Sequence, residues 1–139
     1  MKIIKFITTV SLTALICSCN FESFDERCTR EAEEYTEKYC PRRMNEYTMM
    51  DSLVFDSETH TFSYYYCLEG KLDNDTVINK EVANAFVEQL KKELTTSVEL
   101  RSYKEKEVNF HYIYLSQKTG KVLFEKTFSP SDYNPTGKK

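Results

Sequence analysis

The chain has no tryptophan, and only three glycines, three prolines and two histidines among its 139 residues. Each scarcity removes a class of function. With glycine only at 70, 120 and 137, no loop can cradle a phosphate and no G-x-S-x-G nucleophile elbow can form. His60 and His111 stand near no cysteine or serine in a catalytic arrangement, and HExxH is absent. There is no C-x-x-C pair, which argues against a structural zinc site. Asp73-Asn74-Asp75 opens like a calcium loop but lacks the glycine at the sixth position and the acid at the twelfth, where Ile78 and Asn84 stand. Helix capping explains it better. Glu33-Glu34 and the Glu105/Glu107 pair read as solvated faces. No cofactor, metal or catalytic constellation is expected.

Charge and aromatics are plentiful. The chain carries 19 Lys+Arg and 22 Asp+Glu, a net −3. A mildly acidic chain repels phosphate backbones, so nucleic acid is not an expected partner. Ten tyrosines and nine phenylalanines, with few glycines, describe a packed sheet-and-helix domain rather than a disordered chain.

The amino terminus is a separate unit. Lys2 and Lys5 precede an apolar run over 6–16, softened by three threonines and a serine. As a helix this run spans only ~16 Å, about half of a ~30 Å bilayer core, so it fits an export signal rather than a membrane anchor. Ile16-Cys17-Ser18-Cys19 then resembles the lipobox of bacterial lipoproteins: a branched apolar residue, any residue, a small residue, then cysteine. The resemblance implies removal of residues 1–18, a diacylglycerol on the Cys19 sulfur and an acylated amino group. Two or more acyl chains give stable membrane attachment. Without the signal's two lysines, 17 basic and 22 acidic side chains remain, a net −5. The acids after Cys19 resemble those that accompany export to the outer surface in some bacterial lipoproteins, although a solvated tether over 19–26 reads equally simply. The expected location is the cell envelope, at the outer membrane rather than the inner.

A single domain is expected over 27–129, with a frayed tail over 130–139. A helix over 24–40 opens on a Ser23/Glu26 capping box, places Cys28, Ala32, Tyr35 and Tyr39 on one face, and stops before Pro41. A strand over 47–55 puts Tyr47, Met49, Leu53 and Phe55 on one side. Asp51 breaks its alternation: buried, it would need partners and a raised pKa, whereas a bulge turning it outward is the simpler reading. The strand over 61–68 alternates cleanly through Phe62, Tyr64, Tyr66 and Leu68. A second helix, capped by Asp75, carries Val82, Ala83, Phe86, Leu90 and Leu94 at helical spacing. After the ambiguous stretch 97–106, Val108, Phe110, Tyr112 and Tyr114 alternate, as do Val122, Phe124 and Phe128. The expected fold class is α+β, in the order α-β-β-α-β-β, with two helices on one face of a four-stranded antiparallel sheet.

This order resembles a group of small secreted bacterial domains of unknown function. The likeness spans 46–133 and rests on Asp51-Ser52, the Phe62 to Tyr66 strand, Tyr112-Ile113-Tyr114 with Gly120, and Ser131-Asp132. Where a cysteine often closes that pattern, this chain has Tyr133, so a disulfide shared with that group does not carry over. Cys28 and Cys40 share one helix roughly 18 Å apart, beyond the ~7 Å bridging limit. A bridge, if formed, joins Cys67 to one of them, and Cys40, at the helix end near the sheet edge, is the preferred partner; the alternative is three small buried residues. Tyr65, His111, Ser63 and Thr61 share the sheet face turned from the core and form the candidate binding surface. The expected function is a non-enzymatic binding or interaction module, tethered at Cys19 to the membrane, with a protein or small ligand as partner. The alternatives are a structural subunit of an envelope complex and an inhibitor or immunity protein.

Overall fold

The computed structural model describes residues 21–134; the expected export signal and Cys19 lie outside the described residues. The elements in chain order are helix α1 (Phe24–Tyr39), strands β1 (Arg42–Asn45), β2 (Thr48–Asp56) and β3 (Thr61–Leu68), a 3-10 turn at Gly70–Leu72, helices α2 (Lys80–Thr96) and α3 (Arg101–Glu105), strands β4 (Asn109–Ser116) and β5 (Val122–Phe128), and helix α4 (Pro130–Tyr133). The class is α+β. The sheet, however, has five strands in the order β1-β2-β3-β4-β5, and β3 and β4 run parallel. The expected four-stranded antiparallel sheet is corrected on both counts. The β1 segment is Arg-Arg-Met-Asn, exposed throughout, so it carries no alternation to betray it. The parallel pairing follows from α2. A helix laid over one face between two hairpins carries the chain from the end of β3 back to the sheet end where β3 began, and a long crossover of this kind joins parallel strands.

Helix α1 begins as its sequence dictates. The Ser23 side chain accepts from the Glu26 N–H, and Glu26 accepts from the Ser23 N–H. Cys28 and Ala32 are fully buried, and Tyr35 packs against the core beside them. The Thr36 hydroxyl accepts from the Leu53 N–H at 2.8 Å and donates to the Leu53 carbonyl at 2.9 Å. It satisfies the backbone of β2 just where β1 no longer pairs with it.

Asp51 is the extra residue of a β-bulge: Met50 faces Tyr66 while Ser52 faces Tyr65. The side chain is exposed. One inserted residue reverses the parity of a strand. Thr48 and Met50 therefore join Leu53 and Phe55 on the core side, in place of the expected Tyr47 and Met49. A second irregularity between Tyr114 and Leu115 on β4 opposes Leu115 to Val122, and Val122 is exposed instead of joining Phe124 and Phe128 in the core.

Helix α2 starts later than expected, at Asn79, whose side chain accepts from the N–H groups of Glu81 and Val82. Asp73 has a different task. Its buried carboxylate accepts from the Lys118 N–H at 3.0 Å and ties this loop to the β4–β5 turn. At the other end of α2, Lys104 of α3 donates to the carbonyls of Leu94, Thr95 and Ser97, which favours a cation at the helix C-terminus.

The folded part also runs past the expected limit at 129. Pro130–Tyr133 is a capped helical turn, and Tyr133 is buried, donating to the Val108 carbonyl at 2.7 Å and meeting Phe110 edge-on at 5.6 Å. Residues 135–139 lie outside the described residues. No helix among the described residues is long and apolar enough to cross a membrane.

Candidate functional site

Strands β3 and β4 lie side by side at the centre of the sheet and share one register. Phe62 stands beside Phe110, Tyr64 beside Tyr112 and Tyr66 beside Tyr114. These rungs stack, with ring centroids 6.4, 4.9 and 4.8 Å apart. The phenylalanine rung packs against Tyr103, Phe55 and Tyr133, with Phe62 and Tyr103 at the edge of the adjacent cavity. The two tyrosine rungs instead floor a cavity of about 780 Å³, roofed by α1 and α2. Its volume lies in the ~300–1,000 Å³ range of small-molecule sites. Leu90 and Leu94 of α2 and Ala32 of α1 form the apolar wall; Glu31, Gln89, Glu93 and Glu99 bring polar groups to it.

Tyr66 and Tyr112 are 9 % and 6 % exposed, yet neither hydroxyl has a hydrogen-bond partner among the described residues; nor have those of Tyr64 and Tyr114. Other tyrosines of the core do pair: half-buried Tyr103 donates to Glu31 at 2.6 Å, and buried Tyr133 to the Val108 carbonyl. The four cavity hydroxyls are not buried atoms: they open onto the cavity, where a ligand or water can reach them. Burial pushes the four phenols well above the ordinary tyrosine range, and neighbouring tyrosines push the same way. The Glu93 carboxylate adds to the shift at Tyr66, Tyr112 and Tyr114. The phenols therefore stay protonated. They can donate and accept hydrogen bonds but offer no base or nucleophile at neutral pH.

Tyr65, His111, Ser63 and Thr61 do share the opposite face, with Ser63 directly beside His111. That face is less polar than expected, since Ile113 sits there beside Tyr65 and is buried. His111 Nε2 lies 3.1 Å from Glu125, and the Thr61 hydroxyl donates to the Thr59 carbonyl. None of the four lines the cavity. His60 is a structural tie: Nε2 meets the Lys106 carbonyl at 3.0 Å and Nδ1 meets Asp25 at 3.1 Å, with Phe24 and Phe55 against the ring.

Cys28, Cys40 and Cys67, two of them the candidate Cys40–Cys67 pair, are free in this structure. Cys67 alternates with core-facing Tyr66 and Leu68 and so faces away, while Cys40 packs against the core from the end of α1. Burial pushes all three thiols up, Cys28 to about 11, which leaves them poor nucleophiles. Cys67→Ser is expected to leave mobility on a non-reducing gel unchanged; a shift would show a disulfide at Cys67.

The sequence holds the site in plain sight as period-two tyrosines at 64, 66, 112 and 114. Alternation assigned them to the core, and the one available signal was tyrosine standing where phenylalanine packs better.

A family model described as Domain of unknown function (DUF8479) matches residues 23–124, well over half of the chain. The chain belongs to that family. The match takes in α1, the crossover and both tyrosine rungs. No curated protein matches. Among solved structures, the chain is similar to a protein of Pseudomonas aeruginosa assigned as secreted, with 12% identity, a TM-score of 0.63, and coverage of 78% of this chain and 95% of that one. At that identity the likeness extends to the fold alone.

Proposed function

We propose that this chain is an exported, lipid-anchored binding module of the bacterial envelope, which takes up a small molecule between its helices and its sheet. Export is supported by the signal-like amino terminus and by the P. aeruginosa protein of like fold that is assigned as secreted. Anchoring at Cys19 is supported by the lipobox resemblance. Binding is carried by one observation: four tyrosine hydroxyls without protein partners, two of them on side chains more than nine-tenths buried, face a cavity of about 780 Å³. A non-enzymatic role fits the chemistry of the lining, in which protonated phenols and apolar walls suit recognition better than bond breaking. The binding face is thus the helix-covered side of the sheet, in place of the Tyr65–His111 side.

Comparing tyrosine-to-phenylalanine variants of the ligand-free protein tests this reading. Tyr66→Phe and Tyr112→Phe remove hydroxyls that hold nothing together, so the denaturation midpoint is expected to stay level or rise. Tyr133→Phe strips the Val108 carbonyl of its partner and should cost about 1–2 kcal/mol. Equal losses in all three would make the cavity hydroxyls structural and end the reading.

A further inference from the structure

We infer that the ligand is an organic cation, an amine or quaternary ammonium group carried on an apolar body; this deepens the cavity reading and rests on it. The charged side chains that line the cavity are Glu31, Glu93 and Glu99, and no lysine or arginine lines it. Glu31 is already engaged by Tyr103 at 2.6 Å and by Arg27 at 3.7 Å. Glu93 and Glu99 form no ion pair among the described residues. Glu93 is held by the Gln89 amide at 2.9 Å and lines the same cavity as the tyrosine rungs. Lys126 opposes Tyr112 in register but lies over the Phe128 ring instead, 5.6 Å from its centre, outside the lining.

The Tyr66 and Tyr112 hydroxyls, unpartnered at the ends of side chains that are nine-tenths buried, turn this acidic rim into a site. A phenol oxygen can accept from an ammonium N–H, and tyrosine rings attract cations more strongly as water is excluded. An anion in the same place would meet the like charge of Glu93 and Glu99, which no lysine or arginine of the lining offsets. A bare metal ion fits poorly, because no three histidine, cysteine, aspartate or glutamate side chains among the described residues gather as a metal-holding group. Leu90, Leu94, Ala32 and Phe86 supply the surface for an apolar body.

Isothermal titration with three probes of nearly equal shape tests the inference: choline, neutral 3,3-dimethylbutanol and anionic 3,3-dimethylbutanoate. Choline is expected to bind about tenfold more tightly than the alcohol, with the carboxylate weakest. The Glu93→Gln/Glu99→Gln double variant, altered only at exposed positions, should lose most of that preference while still binding the alcohol. Equal affinity for choline and the alcohol, or a preference for the carboxylate, overturns the cation inference and leaves the cavity standing as a ligand site. No heat with any probe also overturns the inference, while the fate of the cavity reading then follows from the tyrosine-to-phenylalanine comparison.

Discussion

Phe110→Ala is expected to destabilise the domain by about 3–5 kcal/mol, the usual cost of truncating a buried aromatic. Phe110 is fully buried on β4, the strand hydrogen-bonded to both β3 and β5. Its register neighbours are Phe62 and Phe128, and Tyr133 meets its edge. Removing the ring forfeits its transfer from water. It also leaves a hole between two strands that are pinned by their ladders and cannot close on it. Domains of this size are stable by only about 5–15 kcal/mol, so the change consumes a large share of the total. A fall in the denaturation midpoint of roughly 10–20 °C follows, readable by circular dichroism. A loss below 1 kcal/mol would mean that the phenylalanine rung is not the packed end of the core. The same truncation at Tyr64 or Tyr114 should cost less, because part of each side chain already faces the cavity.

Cys19→Ala is expected to move the protein entirely from the membrane to the soluble fraction. The expected signal is too short to span a bilayer once cleaved or uncleaved, and no helix among the described residues can span one. An acidic chain gains nothing from anionic lipid headgroups. On the proposed reading all attachment therefore rides on the acyl chains at one cysteine, at ~0.8 kcal/mol per buried methylene. Fractionation after an alkaline wash reads the result. Retention of the variant in the membrane pellet would contradict the lipid anchor.

What the sequence reveals of the fold depends on which physical signal each element carries. Helix α1 was legible because its cap, its apolar face and its stop at Pro41 are all local. Strands β3 and β4 were legible because one face is aromatic throughout. Alternation assigns a face to each strand but does not choose its neighbour, so the parallel pairing of β3 with β4 was out of reach. β1 was missed because an exposed edge strand has no burial pattern to show. The Asp51 bulge was half legible. The broken alternation marked the place, but the sense in which parity resumed, bringing Met50 inward instead of Met49, needed the register of β3. The α4 turn was read as tail because Pro130 and Pro135 look like loop chemistry, while the burial of Tyr133 against Phe110 is a long-range contact.

The candidate site was legible in its residues and illegible in its meaning. A tyrosine on a core-facing strand position reads as packing whether helix or empty space stands above it. Only the placement of α1 and α2 decides between them, and that placement depends on contacts far apart in sequence. The face around Tyr65 and His111 stands out in the sequence for its polarity, yet His111 meets Glu125, Thr61 donates to the Thr59 carbonyl, and none of the four residues lines the cavity.

Native mass spectrometry of the protein, expressed with its own signal and released in mild detergent, is the most direct measurement. Wild-type protein is expected to carry a small molecule at one per chain beyond its lipid. Leu90→Trp, which fills the cavity from the α2 side, should fold and carry none. A wild-type mass that holds nothing beyond polypeptide and lipid, or a Leu90→Trp variant that retains the molecule, would contradict the cavity as the binding site.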